Sequence, residues 1–174
     1  MNEIEPHYAE VPPDRLPQIP RNPVHVVLDN LRSAYNVGSI FRTADAGAVA
    51  HIHLCGMSAH PPHKKIAKTA LGAFEYVPWT YYERTTLALQ HLHDLGVPCV
   101  AIEVAEAAVP HTDYDWPKPV GIVFGNEVTG VNEKILSRCN ANVCIPMYGF
   151  KNSINVATAF GVVLYEILRH WRVT

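Results

Sequence analysis

The chain has 174 residues, 48% of them apolar and 17% charged, with a formal net charge of -2. Such a length and apolar content suit one compact domain with a sizeable core, and they exclude a disordered chain, a collagen-like repeat and, with only 4 cysteines, a disulfide scaffold. No apolar run approaches the roughly 20 residues of a membrane span, residues 1–10 carry three glutamates and no apolar segment of a secretory signal, and the near-neutral charge confines any nucleic-acid role to a local patch, since a wholly basic domain has a pI above about 9.

Residues 1–23 hold six of the fourteen prolines and no apolar period. They read as an extended proline-rich arm ahead of a domain spanning 24–174. Residues 24–28 form a β-branched apolar run, the signature of a buried strand. Ile40, Phe41 and Ala44 recur at helical spacing and predict a helix over 36–47, followed by a short strand over 51–55. Residues 64–71 read as a short helix and 74–79 as a strand ended by Pro78. Leu87, Leu89, Leu92 and Leu95 mark a helix over 85–95 that Gly96 closes. Strands follow over 98–104, 120–124 and 142–146, with a loop over 110–119 and a short helix over 132–139. A wide apolar stripe (Val156, Phe160, Val163, Leu164, Ile167) makes 154–171 a long buried helix. Alternating strands and helices predict an α/β fold, a mostly parallel sheet flanked by helices, with ligands beyond the carboxyl ends of its strands.

Cys55, Cys99, Cys139 and Cys144 form no C-x-x-C pair, and no His/Cys set completes a zinc site around them. They are expected to be small buried side chains in a reducing cytoplasm. The histidine pairs 51/53, 60/63 and 91/93 have no acidic partner in sequence and read as strand-face or surface residues rather than metal ligands.

Three strand-end segments carry the chemistry. In the first, Asn36 stands where it can cap a helix, Gly38 permits close backbone approach, and Arg42 follows nearly two turns later. In the second, a buried strand runs into Gly125-Asn126-Glu127 and Gly130, glycines that permit backbone shapes other residues resist, with Glu127 a candidate site acid. In the third, a strand ends at Pro146, a polar loop follows, and Ser153 and Asn155 open the last helix, Ser153 as its cap.

In order and spacing, these segments resemble the three motifs of the SpoU family of RNA ribose methyltransferases, within the SPOUT superfamily. Asn36 to Arg42 resembles the first motif, Phe124-Gly-Asn-Glu127 to Gly130 the second, and Ile145-Pro-Met147 through Ser153-Ile-Asn155 the third, with Ile154 where the family usually has leucine. The resemblance implies a C-terminal deep trefoil knot, a rarity among proteins, that shapes a pocket for S-adenosylmethionine. It also implies a homodimer paired largely through the last helix. Gly125, Ile145, Met147, Ile154 and Asn155 would hold the cofactor. Arg42, Asn36, Glu127, Ser153 and Asn155 would serve methyl transfer to a ribose 2′-hydroxyl of tRNA or rRNA, tRNA being slightly favoured. No metal or membrane is implied. Guanidinium stays protonated below a pKa of about 12. Arg42 is therefore read as gripping the phosphate beside the target ribose and stabilising the developing alkoxide, with transient action as a base the alternative. Arg32, Arg42, Lys64, Lys65 and Lys151 are candidate RNA contacts, and Tyr35 and Tyr148 candidate stacking surfaces. Two rival readings stand beside this one: a catalytically inactive RNA-binding paralogue of the same fold, and an α/β enzyme acting on a small molecule in the same pocket.

Overall fold

In the first strand, Val24, Val26 and Leu28 enter one apolar core while Val27 enters a second, the period-two pattern of a strand covered on both faces. The computed structural model describes residues 19–105 and 107–173. In chain order it holds β1 (Asn22–Asp29), α1 (Ala34–Ala46), β2 (Val49–Cys55), α2 (Lys64–Ala70), a 3-10 turn (Ala73–Glu75), β3 (Trp79–Tyr82), α3 (Thr85–Asp94), β4 (Cys99–Ile102), β5 (Val109–Pro110), β6 (Val120–Phe124), α4 (Glu133–Leu136), β7 (Ala141–Cys144) and α5 (Val156–His170). The seven strands order as β3-β2-β1-β6-β4-β7-β5, and every pairing is parallel. The sheet turns both ways from β1: β2 and β3 lie on one side of it, while β6, β4, β7 and β5 lie on the other. Such a reversal is where open parallel sheets make their ligand crevice.

One core joins α1, α2 and α5 to the sheet through Phe41, Ile66, Phe160 and Leu164. The other joins α3 and α4 through Leu89, Leu92 and Ile135. Gly38 lets α1 and α2 touch: a Cβ there would stand 2.6 Å from the Ile66 carbonyl oxygen. The Phe124 and Phe160 rings meet edge to face at 5.8 Å and fix the end of β6 against α5.

Several sequence expectations shift. Residues 1–18 of the arm lie outside the described residues. Asn22 and Pro23, counted with the arm, already belong to β1, and the Arg21 guanidinium donates to the carbonyls of Val49 and Tyr76. Pro78 precedes a strand rather than ending one. It has no N–H to give, but its carbonyl accepts from the Ile52 amide, and the strand begins at Trp79. Residues 109–110 add a short edge strand, a position that tolerates Pro110. The helix over 132–139 contracts to one turn capped by Asn132.

The histidine pair 51/53 belongs to a cluster on the α3 side. His25 Nδ1 and His53 Nε2 are 3.2 Å apart, the His51 and His53 rings 4.7 Å apart, and His91 and Tyr82 close the group at 6.1 and 5.6 Å from His53. His53 is 1% exposed and its Nδ1 has no partner. Burial first, then mutual repulsion, pushes His51 down to about 4 and His53 down to about 2 and lowers His25. These imidazoles are neutral when folded but titrate near 6.5 when unfolded. Stability is therefore full above about pH 6.5, the unfolded value, and falls as the pH drops below it. Urea unfolding across this range will show that acid-side loss, and His51→Gln will flatten it. An identical pH slope in the variant would remove the cluster as its cause.

Candidate active site

The carboxyl ends of β1, β6, β4 and β7 are neighbours in the sheet, and the segments leaving them enclose a cavity of about 970 Å³, within the range of small-molecule and cofactor sites. Its apolar side is Ile102, Phe124, Ile145, Ile154 and Val156. Its polar side includes Asn36, Glu103, Asn126, Glu127, Ser153 and Asn155.

A chain of hydrogen bonds joins three of these segments. Glu127 accepts from the backbone N–H of Arg32 at 2.8 Å, that of Ser33 at 3.1 Å, and the Asn36 amide at 2.9 Å. Its carboxylate thus sits at the amino end of α1, where the helix dipole favours negative charge. Asn36 Oδ1 in turn accepts from the Asn155 amide at 3.0 Å. Asn155 Oδ1 accepts from the Ala157 and Thr158 N–H groups at 2.9 and 3.3 Å and so caps α5. Burial acts most strongly on Glu127 and raises its pKa, but the hydrogen bonds from Arg32, Asn36 and Ser33 together outweigh it and hold the carboxyl below its ordinary value. Its contribution to stability is present at neutral pH and lost as acid protonates it.

Two further fastenings shape the loop after β6. Asn126 Oδ1 accepts from the Val128 and Thr129 N–H groups, and its amide donates to the Asn30 carbonyl at 2.8 Å. Glu103, just beyond β4, accepts from the Val131 N–H at 2.8 Å and the Val104 N–H at 3.0 Å. Gly130 has φ +69°, as a left-handed turn requires. Gly125 is required for space: a Cβ there would lie 2.3 Å from the Gly130 carbonyl carbon and the Val131 nitrogen.

Of the residues singled out from sequence, Asn36, Glu127, Ser153, Asn155, Gly125, Ile145, Met147, Ile154 and Arg32 line the cavity. Arg42, expected at the same end region as Asn36, is exposed further along α1 and does not line it. Lys64 and Lys65 are exposed on α2, the Lys65 ammonium 5.7 Å from the Tyr35 ring centre, and Lys151 is exposed on the loop before α5. Two capping expectations are corrected. Ser33, not Asn36, caps α1, because Asn36 falls in the first turn with its side chain committed to Glu127. Asn155, not Ser153, caps α5, which begins two residues later than expected. Glu103 went unread from sequence, although a carboxylate at the end of a predicted strand was the signal for it. Among the described residues no group of three or more His, Cys, Asp or Glu is placed to hold a metal ion, and no helix is long and apolar enough to cross a membrane.

Compared with known proteins, residues 23–165 match the profile of the SpoU rRNA Methylase family. The chain is 32% identical over 148 residues to the tRNA (guanosine(18)-2′-O)-methyltransferase of Aquifex aeolicus, covering 83% of this chain and 68% of that one. It superposes on the crystal structure of the A. aeolicus TrmH/SpoU tRNA modifying enzyme with a TM-score of 0.79 at 28% identity, over 92% of this chain and 82% of that one. It superposes on an AdoMet-bound rRNA methyltransferase from Sinorhizobium meliloti with a TM-score of 0.80 at 31% identity, over 89% and 60%. The chain spans 57% of the length of a Staphylococcus saprophyticus relative and 68% of the A. aeolicus one.

Asn155→Ala will cost about 1–2 kcal/mol in urea unfolding through loss of the α5 cap. Asn155→Asp, which keeps the capping acceptor but loses the amide donor to Asn36, will recover most of that stability. Gly125→Ala will cost about 1–3 kcal/mol through overpacking. A neutral Gly125→Ala would show that the loop relaxes freely.

Proposed function

The chain belongs to the SpoU rRNA Methylase family, and we propose that it is an S-adenosylmethionine-dependent methyltransferase acting on a ribose 2′-hydroxyl of tRNA or rRNA. The observation that carries this reading is the Glu127–Asn36–Asn155 connection at the edge of a half-apolar cavity on the carboxyl ends of a parallel sheet. The names of the A. aeolicus and S. meliloti relatives support it.

The cavity fits the cofactor. Ile102, Ile145 and Ile154 offer an apolar surface for a flat purine, and Gly125 and Met147 lie on the same lining. When bound, S-adenosylmethionine supplies an electrophilic methyl carbon on a positively charged sulfur. What remains for the protein is to align the ribose oxygen with that carbon, where good positioning lowers a barrier by roughly 7–11 kcal/mol, and to help the hydroxyl proton leave. Asn36, Glu127 and Asn155 spend polar atoms on one another, so in this reading they act as positioning residues. Ser153 faces the cavity at the same rim and contacts the substrate.

The reading extends to the assembly. We place a homodimer interface on α5, where Val162 and Tyr165 are large apolar residues left exposed. The side chain of Thr43 on α1 comes within 3.8 Å of a Cβ built on Gly161 of α5, and exposed Arg42 precedes Thr43 on the same helix. In the dimer Arg42 completes the site by gripping the phosphate next to the target ribose and stabilising the alkoxide. The trefoil threading belongs to the same proposal, supported by the path of residues 145–155 from the end of β7 past the β4 and β6 loops into α5. The four cysteines, all free, support a cytoplasmic location alongside the RNA.

Transfer of radiolabelled methyl groups to tRNA and rRNA tests the activity. Arg42→Ala will lower it by about 100-fold or more, while calorimetry shows S-adenosylmethionine binding retained. Near-normal turnover in that variant would remove Arg42 from the mechanism. Replacing Lys64 and Lys65 together by alanine will flatten the salt dependence of RNA binding, and an unchanged slope would argue against phosphate contact there.

A further inference from the structure

Between Met147 and Asn152, both on the cavity lining, the loop from β7 to α5 presents Tyr148 and Phe150 to solvent at 97% and 110% exposure. They flank Gly149, around which a Cβ would meet no atom within 4 Å, and exposed Lys151 comes next. Leaving an aromatic ring of this size in water forgoes roughly 1.5–3 kcal/mol of burial. Its nearest neighbours in the loop, Gly149, Lys151, Asn152 and Ser153, are small or polar and exposed, whereas the apolar Met147 and Ile154 at either end line the cavity. Open π faces beside a cation, at the rim of a cavity, match the chemistry of an unstacked base and its phosphate.

We propose that Tyr148 and Phe150 form a stacking platform for a nucleobase of single-stranded RNA, with Lys151 meeting the adjoining phosphate, so that the loop selects unpaired over paired RNA at the mouth of the cavity. This inference rests on the RNA methyltransferase reading. Stacking accepts any base, because each has a π face, but it requires the base to be out of the helix. The tip therefore contributes selectivity for loops and ends rather than for sequence.

The test is fluorescence anisotropy with a labelled RNA stem-loop and the same strand paired into a full duplex. The intact protein will prefer the stem-loop. Phe150→Ala and Tyr148→Ala will each weaken stem-loop binding about 5- to 150-fold, the loss of one base–aromatic stack. Phe150→Trp will retain binding, whereas Phe150→Leu, apolar but without a π face, will fall with alanine. The salt slope will be unchanged in Phe150→Ala and shallower by about 0.7 in Lys151→Ala. Calorimetry with S-adenosylmethionine will show the cavity intact in each variant. Wild-type affinity in Phe150→Leu, or conversion of a dimer to a monomer by Phe150→Ala in sedimentation, would overturn the proposal, the second by showing that another copy of the chain covers the tip. If the intact protein neither binds RNA nor transfers methyl groups, the underlying functional reading fails and this inference with it. RNA binding indifferent to both aromatics would sink the inference alone.

Discussion

Three side chains far apart in sequence hold the site together. Glu127 and Asn36 are separated by 91 residues, Asn36 and Asn155 by 119, and each bond in the series links a different loop. Glu127 also draws in the backbone before α1, and Asn155 begins α5. The loops after β1, β6 and β7 are thereby fixed relative to one another. Each of these bonds is modest on its own, since a typical hydrogen bond contributes about 0.5–1.5 kcal/mol net. Their effect lies in cooperation, because three segments remote in sequence acquire one geometry.

That geometry depends on a sheet in which every pairing is parallel. Parallel strands send all their carboxyl ends to one edge, so residues from four strands meet without any long excursion of the chain. The interior strand β1 is flanked by β2 and β6, and the apolar layers on both faces leave little freedom in where its end falls. Packing of Phe124 on Phe160 carries this rigidity to the residue before Gly125. The polar network therefore begins from fixed points.

Much of this was legible in sequence. The β-branched runs at β1 and β6 and the apolar stripe of α5 declare themselves, because burial on both faces or along one stripe demands those residues. The three polar strand ends were legible as well, since glycine, asparagine and glutamate after an apolar strand have few bland explanations. What escaped were choices decided by long-range contact. Ser33, Asn36, Ser153 and Asn155 are all good capping residues, and local propensity cannot say which one caps once Asn36 is claimed by Glu127. Pro78 was misread because its carbonyl finds a partner on β2, information that no neighbouring residue carries. The histidine cluster is assembled from β1, β2 and α3, and only strand register brings His25 opposite His51. The position of Arg42 is similar: nearly two turns of helix carry it away from the cavity that Asn36 faces.

The double duty of Asn155 has a thermodynamic corollary. One side chain starts α5 with its oxygen and fastens that start to α1 with its nitrogen. Whatever occupies the pocket and firms its rim must also suppress fraying of the helix behind it, and by linkage anything that rigidifies the helix must tighten occupancy by the same factor. The two events share one switch, a single amide group.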